Sequence, residues 1–351
     1  MRLDQLYRLL KRNKLTYSFQ NILRLAFLIQ SALWSSFFSW IEQARYSGIL
    51  RNTPVPKDPI FIIGHWRTGS TLLHQLMSLD PHMTTPTLFQ VAVPDSFLVS
   101  YPYYRPIFKR VISKHRPMDQ VRIGMDEPQE DEYAIYRLTC FSPLENLVFP
   151  KSASYFLNHG ASFLPPDDKL EQWKKDVTGF YKKLHLKRKK RIISKNPFNS
   201  FRINVLCDMF PDAKFIHIVR HPDDVVPSTI NMWDILQKQN RLNKPVVPPD
   251  FRETVGVLKN LLSAIEADCV NLKPGHYAEI RFEDLEANPV DVLKSVYQKM
   301  DIPFTSEFEE KITRFMMDTT DFRKNTFTLS PEEKTYIREK LQPMMNKYDY
   351  R

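Results

Sequence analysis

The stretch GHWRTGST, residues 64–71, combines residue types that bind phosphate. Its two glycines, five positions apart, and its final hydroxyl match the phosphate loop G-x-x-x-x-G-K-[ST], but Ser70 stands where that loop has lysine. Arg67 can supply the missing positive charge, and backbone N–H groups at the start of a following helix add donors. Because the sequence nearby offers no well-placed carboxylate for magnesium, the loop fits a divalent anion better than a metal-bound triphosphate.

A second phosphate-binding pair lies in the stretch KFIHIVRHPDDVVPST, residues 214–229. Arg220 follows an apolar strand pattern, and Ser228 comes eight residues later, two turns into a predicted helix. Side chains at these places can converge on an anion at the carboxyl edge of an open sheet. An arginine after a strand is equally typical of a surface ion pair, so the pair gains its weight from the first motif.

Short apolar runs followed by helical patterns recur along the chain. The run Ile60 to Ile63 leads into the glycine loop, and three similar strands are predicted in RIISK, AKFIHIVR and HYAEIRF. This alternation indicates an α/β protein with a central, mainly parallel sheet flanked by helices. We expect a helical N-terminal extension over residues 1–52 and a main domain over residues 53–351, with a helical cap insertion at about residues 82–190.

Composition narrows the class of protein. The 351 residues are 42% hydrophobic and 13% aromatic, which is ample for a packed core. The net charge of +10 makes an anionic ligand, a membrane surface or nucleic acid plausible partners. The densest basic run, Lys182 to Arg191, lacks aromatic residues that would stack on bases, so we interpret it as a solvated helix end and expect no nucleic-acid partner. Three scattered cysteines favour a reducing, cytoplasmic compartment.

The apolar N-terminal stretch from Leu25 to Trp40 needs a separate interpretation. Only about 17 residues separate Arg24 from Glu42, fewer than the roughly 20 that a membrane span needs, and no signal-peptide cleavage site follows. The segment is more typical of one or two amphipathic helices that pack on the domain or lie on a membrane face. Peripheral membrane contact through this segment is therefore left open.

Together, the two phosphate motifs resemble those of sulfotransferases that use 3′-phosphoadenosine 5′-phosphosulfate. GHWRTGSTLL is similar to the family's 5′-phosphosulfate loop, and Arg220 with Ser228 match its 3′-phosphate pair. Further similarity is found in SKNPFNSF, IRFEDLEANP, DFRKNTF and HRPMDQVRIGMDEPQEDEYAI, the last typical of a large microbial and animal subgroup related to the tyrosylprotein branch. The resemblance implies a P-loop-kinase-like fold, a phosphosulfate co-substrate and no metal.

The resemblance also implies roles for individual residues. The residues implied to bind the nucleotide are Arg67, Thr68, Gly69, Ser70, Thr71, Leu72, Arg220, Ser228, Arg323 and Lys324. Two positions depart from the family pattern. Phe282 stands where many relatives have tyrosine, and Gln90 lies where the tyrosylprotein branch has its glutamate base.

Sulfuryl transfer needs positive charge on the bridging oxygen and a base for the acceptor hydroxyl. Arg67 and Lys195 are the candidates for the charge, although Lys195 also fits an ordinary surface lysine. For the base we rank Glu130 first, in the first turn of a helix predicted to begin at Pro128, where carboxylates also simply stabilise a helix start. His115 ranks second and Asp95 third.

The acceptor is the least determined part of the prediction. Aromatic residues crowd the chain between Met83 and Pro166, where they either fill the core or line an apolar pocket. If part of this set lines the site, a small lipophilic alcohol is favoured, such as a sterol or another hydroxylated lipid. The alternatives are a nucleotide kinase with a lysine-less phosphate loop and an inactive nucleotide-binding protein.

Overall fold

The computed structural model describes residues 1–13, 19–111, 124–150, 163–242, 250–318 and 327–350. The chain divides into two compact units. The helical unit comprises Met1–Pro56, Thr85–Lys190 and Ile235–Val247, and the sheet unit comprises Lys57–Thr84, Arg191–Asp234 and Pro248–Arg351. Both predicted phosphate motifs belong to the sheet unit.

The described elements, in chain order, are α1 (Leu3–Arg12), α2 (Phe19–Asn52), β1 (Ile60–Ile63), α3 (Ser70–Ser78), β2 (Met83–Thr84), α4 (Leu88–Ala92), α5 (Phe97–Val111), α6 (Glu132–Thr139), α7 (Glu145–Val148), α8 (Asp167–Arg188), β3 (Arg191–Lys195), a 3₁₀ helix (Pro197–Phe201), α9 (Ile203–Met209), β4 (Lys214–Val219), α10 (Pro222–Asn240), α11 (Phe251–Cys269), β5 (Tyr277–Arg281), α12 (Phe282–Ala287), α13 (Pro289–Lys299), α14 (Ser306–Asp318) and α15 (Pro331–Lys347).

A five-stranded parallel sheet forms the centre of the sheet unit, in the order β2-β3-β1-β4-β5. The α/β prediction is therefore confirmed, with all four predicted strands present. Strand β1 is buried along its whole length, as expected for a central strand covered on both faces. The additional edge strand β2 was not predicted, because two residues are too short for a periodic signal.

Side chains of β1 alternate between two apolar layers. Ile60 and Ile62 belong to a buried cluster that includes Leu73 of α3 and Leu293 of α13. Phe61 points to the opposite face, as the period of a strand requires, and its ring lies 5.9 Å from that of Phe210. Helices thus cover both faces, so the functional groups must lie at the ends of the strands.

The helical unit contains α1, α2 and α4 to α8. Two polar contacts lie inside it: the Tyr181 hydroxyl donates to Asp131 at 2.6 Å, and Lys183 forms an ion pair with Glu42 of α2. Helix α2 is long and apolar enough to cross a membrane by length and composition, with 17% of its apolar window buried. The one or two N-terminal helices predicted from the sequence are thus a helix of 10 residues and one of 34 residues.

One predicted helix boundary is wrong. Helix α6 begins at Glu132, after an N-cap at Asp131, and not at Pro128. Pro128 instead forms a β-bridge with Thr87, and the backbone N–H of Gln129 donates to Pro86 at 2.9 Å. These contacts hold the chain extended, so the proline is not a helix start.

Candidate active site

The carboxyl ends of four parallel strands lead directly into the predicted phosphate-binding residues. Gly64 follows β1, Asn196 follows β3, Arg220 follows β4 and Phe282 follows β5. Parallel strands place their carboxyl ends at one edge of the sheet, where ligands of open α/β proteins bind. All four residues belong to the sheet unit, so this edge is a site within one compact body.

The loop from Gly64 to Gly69 has a backbone that requires its two glycines. Gly64 has φ of 135° and Gly69 has φ of 87°, both in the region that favours glycine. A Cβ atom on Gly69 would lie 2.0 Å from the Phe282 ring, and one on Gly64 would lie 2.5 Å from the Ile218 carbonyl oxygen. Arg67 also has a positive φ, of 67°. The two glycines therefore allow close packing as well as a turn.

Hydrogen bonds hold the loop in place. The backbone N–H of Gly64 donates to the Ser200 hydroxyl at 2.9 Å, and that hydroxyl lies 3.3 Å from the Gly64 carbonyl oxygen. The Thr68 hydroxyl donates to the His65 carbonyl at 2.8 Å. The Thr68 hydroxyl hydrogen is thus used within the loop. We therefore expect Thr68 to contact the nucleotide through its backbone N–H.

Helix α3 begins at Ser70, immediately after the N-cap Gly69. The first N–H groups of a helix have no acceptor within the helix, and the helix dipole places partial positive charge at this end. Ser70, Thr71 and Leu72 supply these N–H groups. The helix start predicted from the sequence is present, and anion binding by its N–H groups stays a prediction.

Arg67 and Ser228 are brought together by the fold. The Arg67 Nε donates to the Ser228 Oγ at 2.8 Å, and the Ser228 residue is 7% exposed. One of these residues belongs to the β1–α3 loop and the other to α10. The two phosphate motifs, 161 residues apart along the chain, thus meet through a direct hydrogen bond.

Arg220 lies at the same edge and is held by two neighbours. Its guanidinium lies 4.6 Å from the centre of the Phe282 ring, within cation–π range. It also forms an ion pair with Asp224 at 2.8 Å, and the Arg220 side chain is 16% exposed. The alternative of an ordinary surface ion pair accounts for Asp224 but not for the stacking on a buried ring.

Lys195 ends β3 and is buried. It is 4% exposed and pairs in register with Ile62 of β1, so the alternative of an ordinary surface lysine is wrong. His74 of α3 senses this ammonium group: burial, and after it the positive charge of Lys195, lower the His74 pKa to about 3. A buried cation therefore lies at the end of the strand beside the phosphate loop.

Two of the three candidate bases, Glu130 and Asp95, belong to the helical unit. Glu130 precedes α6 in the helical unit and is partly exposed, with its backbone N–H bonded to the Gln129 side chain at 3.0 Å. Asp95 has a fully buried side chain that lies 3.4 Å from the Arg2 guanidinium, which is the environment of a structural ion pair. His115, together with the predicted nucleotide contacts Arg323 and Lys324, lies outside the described residues.

Gln90 is one of the two departures from the family pattern. The Gln90 side chain accepts from the backbone N–H of Thr87 at 2.9 Å and so completes a capping box at the start of α4.

Within the part of the chain that the structure describes, no group of three His, Cys, Asp or Glu side chains is arranged to hold a metal ion.

Sequence reasoning missed two supports of the site. Ser200 lies in the motif SKNPFNSF but was not singled out, although it anchors Gly64. Phe282 was noted only for lacking a hydroxyl, whereas its ring packs against both Gly69 and Arg220. The sequence signals were a serine after the KNPF turn, for Ser200, and a bulky residue directly after a strand, for Phe282. Neither signal identifies the residue that it contacts.

Comparison with known proteins gives a consistent result. A model described as "Sulfotransferase family" matches residues 59–306. The chain is 32% identical over 298 residues to "Omega-hydroxy-beta-dihydromenaquinone-9 sulfotransferase Stf3" of Mycobacterium tuberculosis, and to the protein of the same name in Mycobacterium bovis. This match covers 85% of the chain and 76% of each relative.

Two solved structures share the fold. The sulfotransferase STF9 from Mycobacterium avium has a TM-score of 0.69 and 17% identity, with 90% of this chain and 82% of that one covered. The sulfotransferase STF1 from Mycobacterium tuberculosis H37Rv has a TM-score of 0.63 and 17% identity, with 97% and 91% covered. At these identities the likeness establishes the fold.

Proposed function

The chain belongs to the sulfotransferase family, and from that premise we propose that it transfers a sulfuryl group from 3′-phosphoadenosine 5′-phosphosulfate to the hydroxyl of a lipophilic acceptor. The observation that carries the proposal is the contact between Arg67 and Ser228 at 2.8 Å. This contact joins the loop before α3, whose start can bind an anion, to the pair of Arg220 and Ser228, which can bind another. Both lie at one edge of the sheet. A donor with phosphate groups at both its 3′ and 5′ positions matches this double site.

The 5′-phosphosulfate fits the first half of the site. The first N–H groups of α3 and the Arg67 guanidinium offer hydrogen bonds and positive charge without a metal ion. Gly69 keeps the loop in this conformation, because a Cβ atom at this position would not fit beside the Phe282 ring. The P-loop lysine is thereby replaced by an arginine and backbone amides.

The 3′-phosphate fits the second half. Arg220 presents a planar guanidinium held by the Phe282 ring, and Ser228 presents a hydroxyl already oriented by Arg67. Arg67 can then contact both halves of the nucleotide. Such shared contacts would position the donor by several groups at once, which favours in-line transfer.

When bound, the donor supplies the sulfuryl group: the acceptor oxygen bonds to sulfur, and the bond from sulfur to the 5′-phosphate oxygen breaks with its electron pair. The Lys195 ammonium, buried at the end of β3, is our candidate to stabilise the negative charge that develops on that oxygen. Its burial matters because electrostatic stabilisation is stronger where water is excluded. Adenosine 3′,5′-bisphosphate and a sulfate ester are the products.

The acceptor hydroxyl must also lose its proton. Glu130 remains our first candidate for this base, since it is a partly exposed carboxylate of the helical unit. His115 remains the second candidate. Asp95 is the weakest, because its side chain is buried beside Arg2.

We propose a hydroxylated lipid as acceptor. The Stf3 relatives are named for a hydroxylated menaquinone, and the chain covers most of their length at 32% identity. A long prenyl lipid alcohol therefore has more support than the sterol that composition alone suggested. A sugar or acidic peptide acceptor has no support of this kind.

The decisive experiment is a transfer assay with ³⁵S-labelled donor. Purified protein is incubated with prenyl alcohols, hydroxylated quinones, sterols, phenols, sugars and tyrosine peptides, and labelled esters are separated by chromatography. We expect label on a lipid alcohol, with Lys195→Ala as the inactive control. Label transferred only to sugars or peptides would contradict the lipid assignment, and phosphate transfer from labelled ATP would contradict the donor assignment.

A further inference from the structure

Helix α2 has an inverted distribution of side chains. Within residues 21–52 the buried side chains are Ala32, Ser35, Phe38 and Glu42, at a spacing of three and four, and three of these four are small or polar. Its outward face carries bulky apolar residues that are each at least half exposed, namely Leu23, Phe27, Leu33, Trp34, Phe37 and Trp40. A surface helix of a soluble protein normally shows the reverse pattern. An exposed apolar face of this kind is typical of a surface that binds a protein or a membrane.

The apolar surface extends onto helix α5. Phe38 of α2 packs against Tyr103 at 5.2 Å between ring centres, and Tyr103 is 64% exposed. Ile107, one turn further along α5, is 56% exposed. The outward face of α2 and these two residues form a surface that we call the α2 face, and all of it belongs to the helical unit.

The exposed charged side chains of α2 itself have one sign. The sole carboxylate in the sequence of α2 is Glu42, which is 2% exposed and forms an ion pair with Lys183 of α8. The exposed charged residues of the helix beyond the apolar stretch are Arg24, Arg45 and Arg51. An apolar strip with tryptophans and flanking arginines matches a bilayer interface that contains anionic lipid.

Three geometric facts select a bilayer surface from the alternatives. A helix that spanned the membrane would have to remove Glu42 and Lys183 from their ion pair or bury both in hydrocarbon. An antiparallel pair of copies centred near Trp34 would place Arg24 of one copy opposite Arg45 of the other, which is unfavourable. One face of α2 already contacts α1, α5 and α8, so only the other face remains available.

We propose that the α2 face binds peripherally to membranes that contain anionic lipid, with α2 parallel to the bilayer plane. Its tryptophans and phenylalanines enter the interfacial region, and Arg45 and Arg51 contact the headgroups. This proposal concerns how the protein reaches a bilayer, and it stands independently of the donor and acceptor proposed above.

The chain carries a built-in reporter for this contact. Trp34 and Trp40 are 52% and 68% exposed on the α2 face, whereas Trp66, Trp173 and Trp233 are 5%, 2% and 4% exposed. Tryptophan emission that shifts to shorter wavelength upon binding therefore reports the α2 face. Quenching by lipids brominated near the headgroup locates these two side chains at the interface.

The test uses full-length protein with vesicles of phosphatidylcholine alone or with one quarter phosphatidylglycerol, without nucleotide or acceptor. We expect a blue shift and cosedimentation with the anionic vesicles. Phe27→Gln/Leu33→Gln/Phe37→Gln keeps both reporters and should weaken binding about tenfold or more. Val270→Gln/Met317→Gln, at exposed apolar positions of the sheet unit, is the matched control and should bind like wild type.

Arg45→Gln/Arg51→Gln tests the charge independently of the apolar residues. We expect about fivefold weaker binding to anionic vesicles for each arginine and unchanged binding to neutral vesicles. Absence of binding by the wild-type protein would overturn the proposal, as would equal binding by the triple variant. Two other results would also overturn it: dimers in light scattering that the triple variant abolishes without vesicle binding, or bound protein that resists alkaline carbonate.

Discussion

Replacing Arg220 by alanine tests how the site recognises a 3′-phosphate. The substitution removes a guanidinium whose side chain is 16% exposed and whose position is held by the Phe282 ring at 4.6 Å. Loss of a charged hydrogen bond to a ligand costs about 1.5–3 kcal/mol, which corresponds to about 10- to 150-fold in affinity. We therefore expect adenosine 3′,5′-bisphosphate to bind Arg220→Ala weaker by that factor.

The contacts that Arg220 makes without nucleotide affect stability instead of affinity. Asp224 is 57% exposed, so its ion pair contributes about 0.2–1 kcal/mol, and the cation–π contact contributes about 0.5–1 kcal/mol. Both contacts are made within the protein itself. Arg220→Ala should thus lower the free energy of unfolding by about 1–2 kcal/mol, while the larger effect appears in the dissociation constant.

Isothermal titration calorimetry with two ligands separates the possibilities. Adenosine 5′-monophosphate lacks the 3′-phosphate, so its affinity should be the same for wild type and Arg220→Ala within about twofold. Asp224→Ala is the matched control, because it removes the same ion pair and keeps the guanidinium. Equal weakening of both ligands would show general damage to the site, and unchanged affinity for the bisphosphate would refute the assignment of Arg220.

Four further substitutions test other residues that have been given a role above. Lys195→Ala should lower kcat by about 10²-fold or more with little change in donor KM, measured by steady-state transfer kinetics; a normal kcat would contradict its role. Glu130→Gln should lower kcat by about 10²- to 10⁴-fold with donor affinity retained, and full turnover would leave the base to be found elsewhere. His74 has a pKa of about 3 because it is buried and near a positive charge, whereas an unfolded histidine titrates near 6.5. The unfolded state therefore binds the extra proton between these values, and stability should fall by about 1.4 kcal/mol per pH unit below about 6.5, a dependence that His74→Gln should flatten in urea titrations at several pH values. Gly69→Ala should abolish donor binding, because the new Cβ would lie 2.0 Å from the Phe282 ring; tight binding measured by calorimetry would show that the loop can shift.

The sheet and the phosphate edge could be predicted because they rest on local patterns. Strands such as β1 are continuous apolar runs between breaking residues, and this pattern survives in any tertiary context. The positions of Arg67 and Arg220 follow from the strands that precede them. That the two motifs belong to one nucleotide site was inferred from the resemblance. The structure adds the hydrogen bond between Arg67 of the first motif and Ser228 of the second.

Other features depend on partners that are distant in the sequence. The burial of Lys195 follows from its register beside Ile62, which no local pattern specifies. The false helix start at Pro128 has the same cause, since its pairing with Thr87 overrides a local preference. For α2, apolar residues on both sides of the helix weaken its periodicity, so the sequence indicated an apolar segment without indicating which side faces outward.

The packing of Gly69 against Phe282 links two positions that are 213 residues apart, since 282 − 69 = 213. Neither position can be varied alone in a library that aims to change donor selectivity. A larger residue at 69 requires a smaller one at 282, and that change also removes the ring that holds Arg220. Engineering of the nucleotide site therefore has to treat 69, 220 and 282 as one combinatorial block, encoded by three separate regions of the gene and screened together.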